Sequence, residues 1–185
     1  SINPYLHQHT DQLLERLVKE EGFRGLKIYP TYQWVSPNDA MLYPLYHKAQ
    51  ELGIPIIFHT GSSVFSGARM KFGDPLLLDD VAVDFPNLTI VMAHGGRPFW
   101  YDRAQFLARL HKNVYLDVTG LPPKNLLKYF PELDRIPEKI TFGSDWPSVP
   151  TIKQNIETIR SLPLKSRTIE LMLGGNAARI LGLDR

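Results

Sequence analysis

Three residues have the types and positions to do chemistry together: His59, His94 and Asp145. Each closes a short apolar run, in Ile54-Pro-Ile-Ile-Phe-His59, Leu88-Thr-Ile-Val-Met-Ala-His94 and Ile140-Thr-Phe-Gly-Ser-Asp145. Such runs read as buried strands, and in a parallel α/β fold the side chains at the carboxyl ends of strands gather around ligands. Neutral imidazoles bind a borderline ion such as zinc, and a carboxylate can both ligate and accept a proton. An ion held there would lower the pKa of a bound water and polarise a carbonyl, with Asp145 placed as general base. Plainer readings stand beside this one. Either histidine could be a strand-end residue bonded to backbone, and Asp145 could simply cap the turn that Pro147 forces.

Other residues sit close to these ends in sequence. Lys27, near the end of the strand read from Gly25-Leu-Lys-Ile-Tyr-Pro30, could reach a substrate carboxylate, bridge two metal ions in carboxylated form, or meet only solvent. Arg97, just past the glycines that follow His94, could fork onto a carboxylate or form a surface ion pair. Trp146 is expected to pack at the pocket wall as a substrate contact. Asp117 and Thr119 lie at another strand end with no role fixed by the sequence. His7-Gln-His9 has ligand-like spacing, but no apolar strand precedes it, so a polar loop ahead of a helix is expected. Cysteine is absent, which leaves His, Asp and Glu as the only strong metal donors.

The elements that must position these side chains follow from periodicity. Ser1–Pro4 reads as the tail of a strand. Leu13, Leu14, Leu17 and Val18 repeat at helical spacing, and Gly22 ends that helix. A second helix is expected from Ser36-Pro37, with Ser36 as N-cap, Asp39 in the first turn and Pro44 kinking it. A Gly/Ser-rich loop spans Thr60 to Gly73, and Asp74-Pro75 opens the next helix. Ala104, Leu107, Ala108 and Leu110 mark another, and Ile152, Ile156 and Ile159 a further one. Asn176 is expected to cap the last. Strand and helix alternate about six times, and the strands are continuous apolar runs, which calls for a parallel sheet. No glycine-rich nucleotide fingerprint follows any strand, so a barrel is preferred to an open dinucleotide-binding sheet. A complete barrel takes about 250 residues, so this chain is short by about two βα units.

The 185 residues are read as one domain, 1–185, with a core of ordinary size. A net charge of +2, without any basic run, argues against a nucleic-acid role. The apolar runs are far shorter than a membrane span. The opening Ser-Ile-Asn-Pro has no basic-then-apolar pattern, so a cytoplasmic location is the expectation.

His59-Thr-Gly61, Ala93-His-Gly-Gly96, Gly143-Ser-Asp-Trp-Pro147 and Gly175-Asn-Ala-Ala-Arg-Ile-Leu-Gly-Leu183, in this order, resemble the metal-dependent hydrolases of the amidohydrolase superfamily. The branch is the one that contains aminocarboxymuconate-semialdehyde decarboxylase and the pyrone-dicarboxylate lactonases. The resemblance implies a (β/α)8 TIM-barrel-type fold, incomplete here, of which this chain is the C-terminal two-thirds or so. It implies His59, His94 and Asp145 as candidate ligands of a divalent metal, zinc first. His59 would bind the ion, His94 would orient substrate or metal-bound water, and Asp145 would contact the metal and shuttle a proton. The family's first-strand His-x-His has no counterpart in the right context. The implied activity is hydrolysis of a small carboxylated or cyclic amide or ester substrate. The alternatives are a non-oxidative decarboxylase of the same branch, or an inactive barrel fragment with a structural role. Association into a homo-oligomer is expected, because two missing strands would leave sheet edges unpaired.

Overall fold

The computed structural model describes residues 1–149 and 151–183. The chain runs α1 (Thr10–Lys19), β1 (Leu26–Ile28), α2 (Pro30–Gln33), α3 (Tyr43–Glu51), β2 (Ile56–His59), α4 (Leu77–Asp84) and β3 (Ile90–Ala93). It continues with α5 (Tyr101–Leu110), β4 (Val114–Asp117), α6 (Leu126–Tyr129), β5 (Ile140–Thr141), α7 (Ile152–Arg160), α8 (Ser166–Glu170) and α9 (Asn176–Ile180). The five strands pair in chain order, β1-β2-β3-β4-β5, and every pairing is parallel. A doubly wound sheet reverses its strand order part-way. This one does not, and its sequential order is that of a barrel wall.

Register sorts the strand residues onto two faces. Leu26 and Ile28 align with Ile56 and Phe58, then Ile90 and Met92, then Val114 and Leu116, with Ile140 beside Leu116. All of these are buried in the core that the helices cover. Phe58, for example, meets Tyr46 of α3 edge-on at 5.8 Å between ring centroids. The alternate residues form the other face: Lys27, Ile57, Val91 and Tyr115 in one row, His59, Ala93, Asp117 and Thr141 in the next. Because side chains alternate along a strand, the helix-facing apolar set fixes which residues turn the other way. That second face carries the titratable groups.

Several local expectations are corrected. Ser1–Pro4 is not a strand: the Asn3 carbonyl accepts from the amides of Leu6 and His7 in a turn, so the sheet has five strands instead of about six. Ile2 is nevertheless buried, and its carbonyl accepts from Gln33 Nε2 at 2.8 Å. Ser36 is not the cap, since its hydroxyl bonds Asn38; Asp39 accepts from the Met41 amide instead. Pro44 falls in the first turn of α3, where a helix needs no N–H, and so causes no kink. Leu110 lies at the end of α5 and is exposed. Asn176 does not cap α9. Its buried Nδ2 donates to the carbonyls of Pro137 and Ile140, at 2.8 and 2.7 Å, tying the last helix to β5.

Candidate active site

β2 ends on His59, and β3 delivers His94 one residue beyond its last strand residue. The chain turns sharply at the second point: His94 has φ 67, Gly95 φ 53 and Gly96 φ 76. Left-handed backbone is costly for a residue with a Cβ and free for glycine. At Gly95 a Cβ would also come within 2.5 Å of the Phe130 ring, so the tight packing there excludes any other residue. Asp145 follows β5 at φ 61. Its main-chain carbonyl closes the next turn by accepting from Ser148 and Val149, so the carboxylate itself is not used as a cap. The carboxylate lies against Gly120, where an added Cβ would be 2.7 Å from Oδ2.

These three side chains, with Lys27 and Arg97, line one cavity of about 380 Å³. Its remaining wall includes Tyr29, Tyr32, Val64 and Phe65. A larger hollow of about 720 Å³, around Arg24, Gly53 and Arg179, is lined among the described residues by no histidine or carboxylate. Trp146 does not line the site cavity and is 70 % exposed. The chain turns at Asp145, and the carboxylate takes the inner position while the indole faces solvent. His7 and His9 are exposed in the loop ahead of α1 and lie outside the cavity, His7 bonding the backbone of Asn3.

The two imidazoles pack edge to face, 4.8 Å between centroids and 64° between planes. Each is 5 % exposed. Burial pushes His59 down to about 4, with Lys27 and Arg97 adding to the effect and a bond to Ser62 opposing it. Burial and the neighbouring His59 push His94 down to about 4 as well. Both rings are therefore neutral near pH 7, each with one N–H and one lone pair. His59 Nε2 lies 3.1 Å from the Ser62 carbonyl, and His94 Nδ1 lies 3.0 Å from the Thr119 carbonyl. A carbonyl only accepts, so those nitrogens carry the protons. The lone pairs sit on His59 Nδ1 and His94 Nε2.

Around the histidines the charges are mixed. Burial lowers Lys27 to about 8, against the pull of Asp117 and Asp145. Burial raises Asp117 to about 7, while a 2.9 Å bond from the Thr141 hydroxyl and the Lys27 charge oppose the shift. Arg97 Nη1 donates to the Gly120 carbonyl at 3.3 Å, so the guanidinium is turned into the cavity. Two neutral imidazoles and a carboxylate are the donor types that a borderline divalent ion takes. Among the described residues, however, no three His, Cys, Asp or Glu side chains are arranged to hold one ion. The donors fit a metal in kind and fall short in number.

Sequence reasoning did not reach Asp117 as a buried partner of Lys27, the Tyr29–Tyr32 wall, or the carbonyls of Ser62 and Thr119. Tyr29 and Asp117 carried a weak signal in their places at strand ends. The two carbonyls carried none, because every residue has one.

Sequential parallel strands and a site at their carboxyl ends define an incomplete TIM-type barrel carrying enzyme-like chemistry. Residues 4–183 match the amidohydrolase family, and the chain belongs to it. It is similar to 2-amino-3-carboxymuconate-6-semialdehyde decarboxylase of Dictyostelium discoideum, at 25% identity over 94% of this chain and 57% of that protein. An uncharacterised TIM-barrel protein of Bordetella bronchiseptica superposes with a TM-score of 0.79 and 28% identity, over 92% of this chain and 61% of that one. A dihydroxybenzoic acid decarboxylase of Polaromonas, solved with manganese and 2-nitroresorcinol, shares the fold at a TM-score of 0.69 and 21% identity. That match covers 99% of this chain and 67% of the other. The chain thus spans somewhat over half the length of the curated relative it matches. Among the described residues no helix is long and apolar enough to cross a membrane.

Proposed function

We propose that the cavity is the active site of an enzyme acting on a small carboxylated substrate, and that the reaction is a non-oxidative decarboxylation. The observation that carries this reading is the grouping of two neutral imidazoles, two cations and one carboxylate on a single cavity wall. Arg97 and Lys27 are suited to hold the substrate's anionic oxygens, Arg97 through its planar fork. His94 Nε2, with its lone pair inward, orients a hydroxyl or an amine. The carbon–carbon bond to the carboxylate breaks, CO2 leaves, and the electron pair left on carbon takes a proton. The Asp145 carboxylate takes that proton from solvent and passes it to the carbon, which returns Asp145 to its ionised form. The similarity to a decarboxylase along 94% of the chain supports this choice.

Hydrolysis is the second reading, favoured by the same carboxylate. Asp145 would then take a proton from an attacking water. A divalent ion, zinc by the donor types, belongs to either reading only with donors beyond those the described residues bring together. Incubation in D2O with carboxylated conjugated and aromatic acids tests the proposal. Release of CO2 with one deuterium placed on the product carbon, lost in Asp145→Asn, is expected. Ester or lactone cleavage without CO2 would overturn it in favour of hydrolysis.

A further inference from the structure

The segment from Ser62 to Arg69 follows β2 directly and supplies part of the cavity wall through Ser63, Val64 and Phe65. Its ends are fixed to the frame. The Ser62 amide donates to the Arg97 carbonyl at 2.6 Å, and the Arg69 amide to the Thr31 carbonyl at 2.9 Å. Between those ends Phe65 meets the Tyr32 ring edge-on, and the large apolar side chains are otherwise open to solvent. Val64 is 88 % exposed and Phe65 67 %, although both border the cavity. Two side-chain bonds reach it from in and just after α2. Tyr32 Oη pairs with Ser63 Oγ at 2.6 Å, and Trp34 Nε1 donates to the Gly67 carbonyl at 2.9 Å. The ring of Tyr32 also stands between Phe65 and His59, at 5.8 and 5.4 Å. Its third tie is to the site itself, since the Ser62 carbonyl accepts from His59 Nε2.

We propose that residues 62–69 are a cover over the cavity, latched by the Tyr32–Ser63 hydrogen bond. A segment held by a few polar bonds, with its large apolar side chains unpacked, opens at low cost. The histidines beneath are buried, and the segment forms part of the wall beside them, so lifting it widens the access of a substrate to both rings. On closure over an apolar or aromatic ligand, Val64 and Phe65 gain the burial they lack now. The His59–Ser62 bond makes the latch sensitive to the site: a ligand that draws His59 Nε2 away frees the cover at its root. Tyr32 is in this scheme a positioning residue. The inference concerns access to the cavity and holds whichever reaction takes place there.

The test uses the whole chain, dialysed against EDTA, and two variants that remove the latch from opposite ends, Tyr32→Phe and Ser63→Ala. Amide hydrogen exchange reports the cover, and carbethoxylation by diethylpyrocarbonate, resolved residue by residue by mass spectrometry, reports access to His59 and His94. Loss of one hydrogen bond of ordinary strength corresponds to about fivefold in opening. Both variants are expected to speed exchange within 62–69 while β2 and β3 stay protected, Tyr32→Phe by about that factor and Ser63→Ala by more, because Ser63 Oγ also accepts from the Phe65 amide. Reaction of both histidines should rise in parallel, with no further gain in the double variant. Unchanged exchange would show that the bond is no latch. Faster exchange with unchanged histidine reactivity would show that the segment is no cover. Either result overturns the proposal.

Discussion

The rings of His59 and His94 meet edge to face at 4.8 Å, and each gives its one proton to a main-chain carbonyl, of Ser62 and Thr119 respectively. Two imidazoles this close cannot both take up a proton without strong repulsion, and burial penalises even the first. The pair is therefore held as two oriented lone pairs at neutral pH.

That arrangement gives the first prediction. Nitrogen-15 spectra of the histidines should show His59 as the Nε2–H tautomer and His94 as the Nδ1–H tautomer. Both should titrate near 4, well below the ordinary value of 6.5. A midpoint near 6.5 for either would mean that the site is open to water.

Stability against pH gives the second. The histidine values are depressed on folding, so between 6.5 and about 4 the unfolded chain binds protons that the folded chain refuses. Stability then falls as pH falls, by about 1.4 kcal/mol per unit for each histidine. Asp117 runs the other way. Its value is raised from 3.8 to about 7, so in the same window the folded chain keeps a proton that the unfolded chain has released. Asp117→Asn removes this opposing slope. Urea midpoints at pH 4.5, 5.5 and 6.5 should fall with acid more steeply in the variant, by about 1.4 kcal/mol per pH unit. Equal slopes would show that Asp117 is ionised in the folded chain.

Gly120 gives the third. It has φ 68, and a Cβ there would press on Asp145 Oδ2 at 2.7 Å. Gly120→Ala should cost about 1–2 kcal/mol of stability for the backbone conformation and displace the carboxylate. Turnover is expected to drop at least about tenfold while KM for the substrate changes little, because in the proposed reaction Asp145 moves the proton and Lys27 and Arg97 hold the substrate. Wild-type turnover in a folded variant would show that Asp145 needs no fixed position.

Much of this was legible in the sequence, and the reasons are physical. Apolar runs such as Ile54–Phe58 and Leu88–Ala93 are long enough to name their strands, and strand ends in a parallel fold face the ligand, so His59, His94 and Asp145 could be grouped before any coordinates. Lys27 and Arg97 were named beside them, with solvent for the one and a surface ion pair for the other left open. Some errors were local, as at Ser36 and Pro44; in others tertiary contact overrode local signal. Trp146 looked like a wall residue until the left-handed turn at Asp145 gave the inner position to the carboxylate. Asn176 had the chemistry of a cap but was drawn to the carbonyls of Ile140 in β5 and of Pro137 just ahead of it. Asp117 could not be assigned at all, because its raised value arises from burial, which the fold creates and the local sequence does not show.

The last prediction concerns the ends of the sheet. Among the described residues β1 pairs only with β2, and β5 only with β4. In a closed barrel those outer strands would find neighbours. Here β1 presents backbone N–H and C=O groups on its free side, whereas at the two-residue β5 the Ile140 carbonyl is already taken by Asn176; an edge like that of β1 invites another chain. The face bearing Ile57 and Val91 adds apolar surface beside the gap, closed on one side by Ala177 and Ile180 of α9. Hydrogen-bonding groups buried without partners cost about 1–3 kcal/mol each, a large share of the stability of a domain this size. This chain is therefore expected to self-associate. Sedimentation velocity should show mass rising with concentration through the micromolar range, and a proline in place of Lys27, which removes an edge N–H, should weaken the association. A monomer throughout that range, melting in a single cooperative transition, would show instead that water alone satisfies both edges.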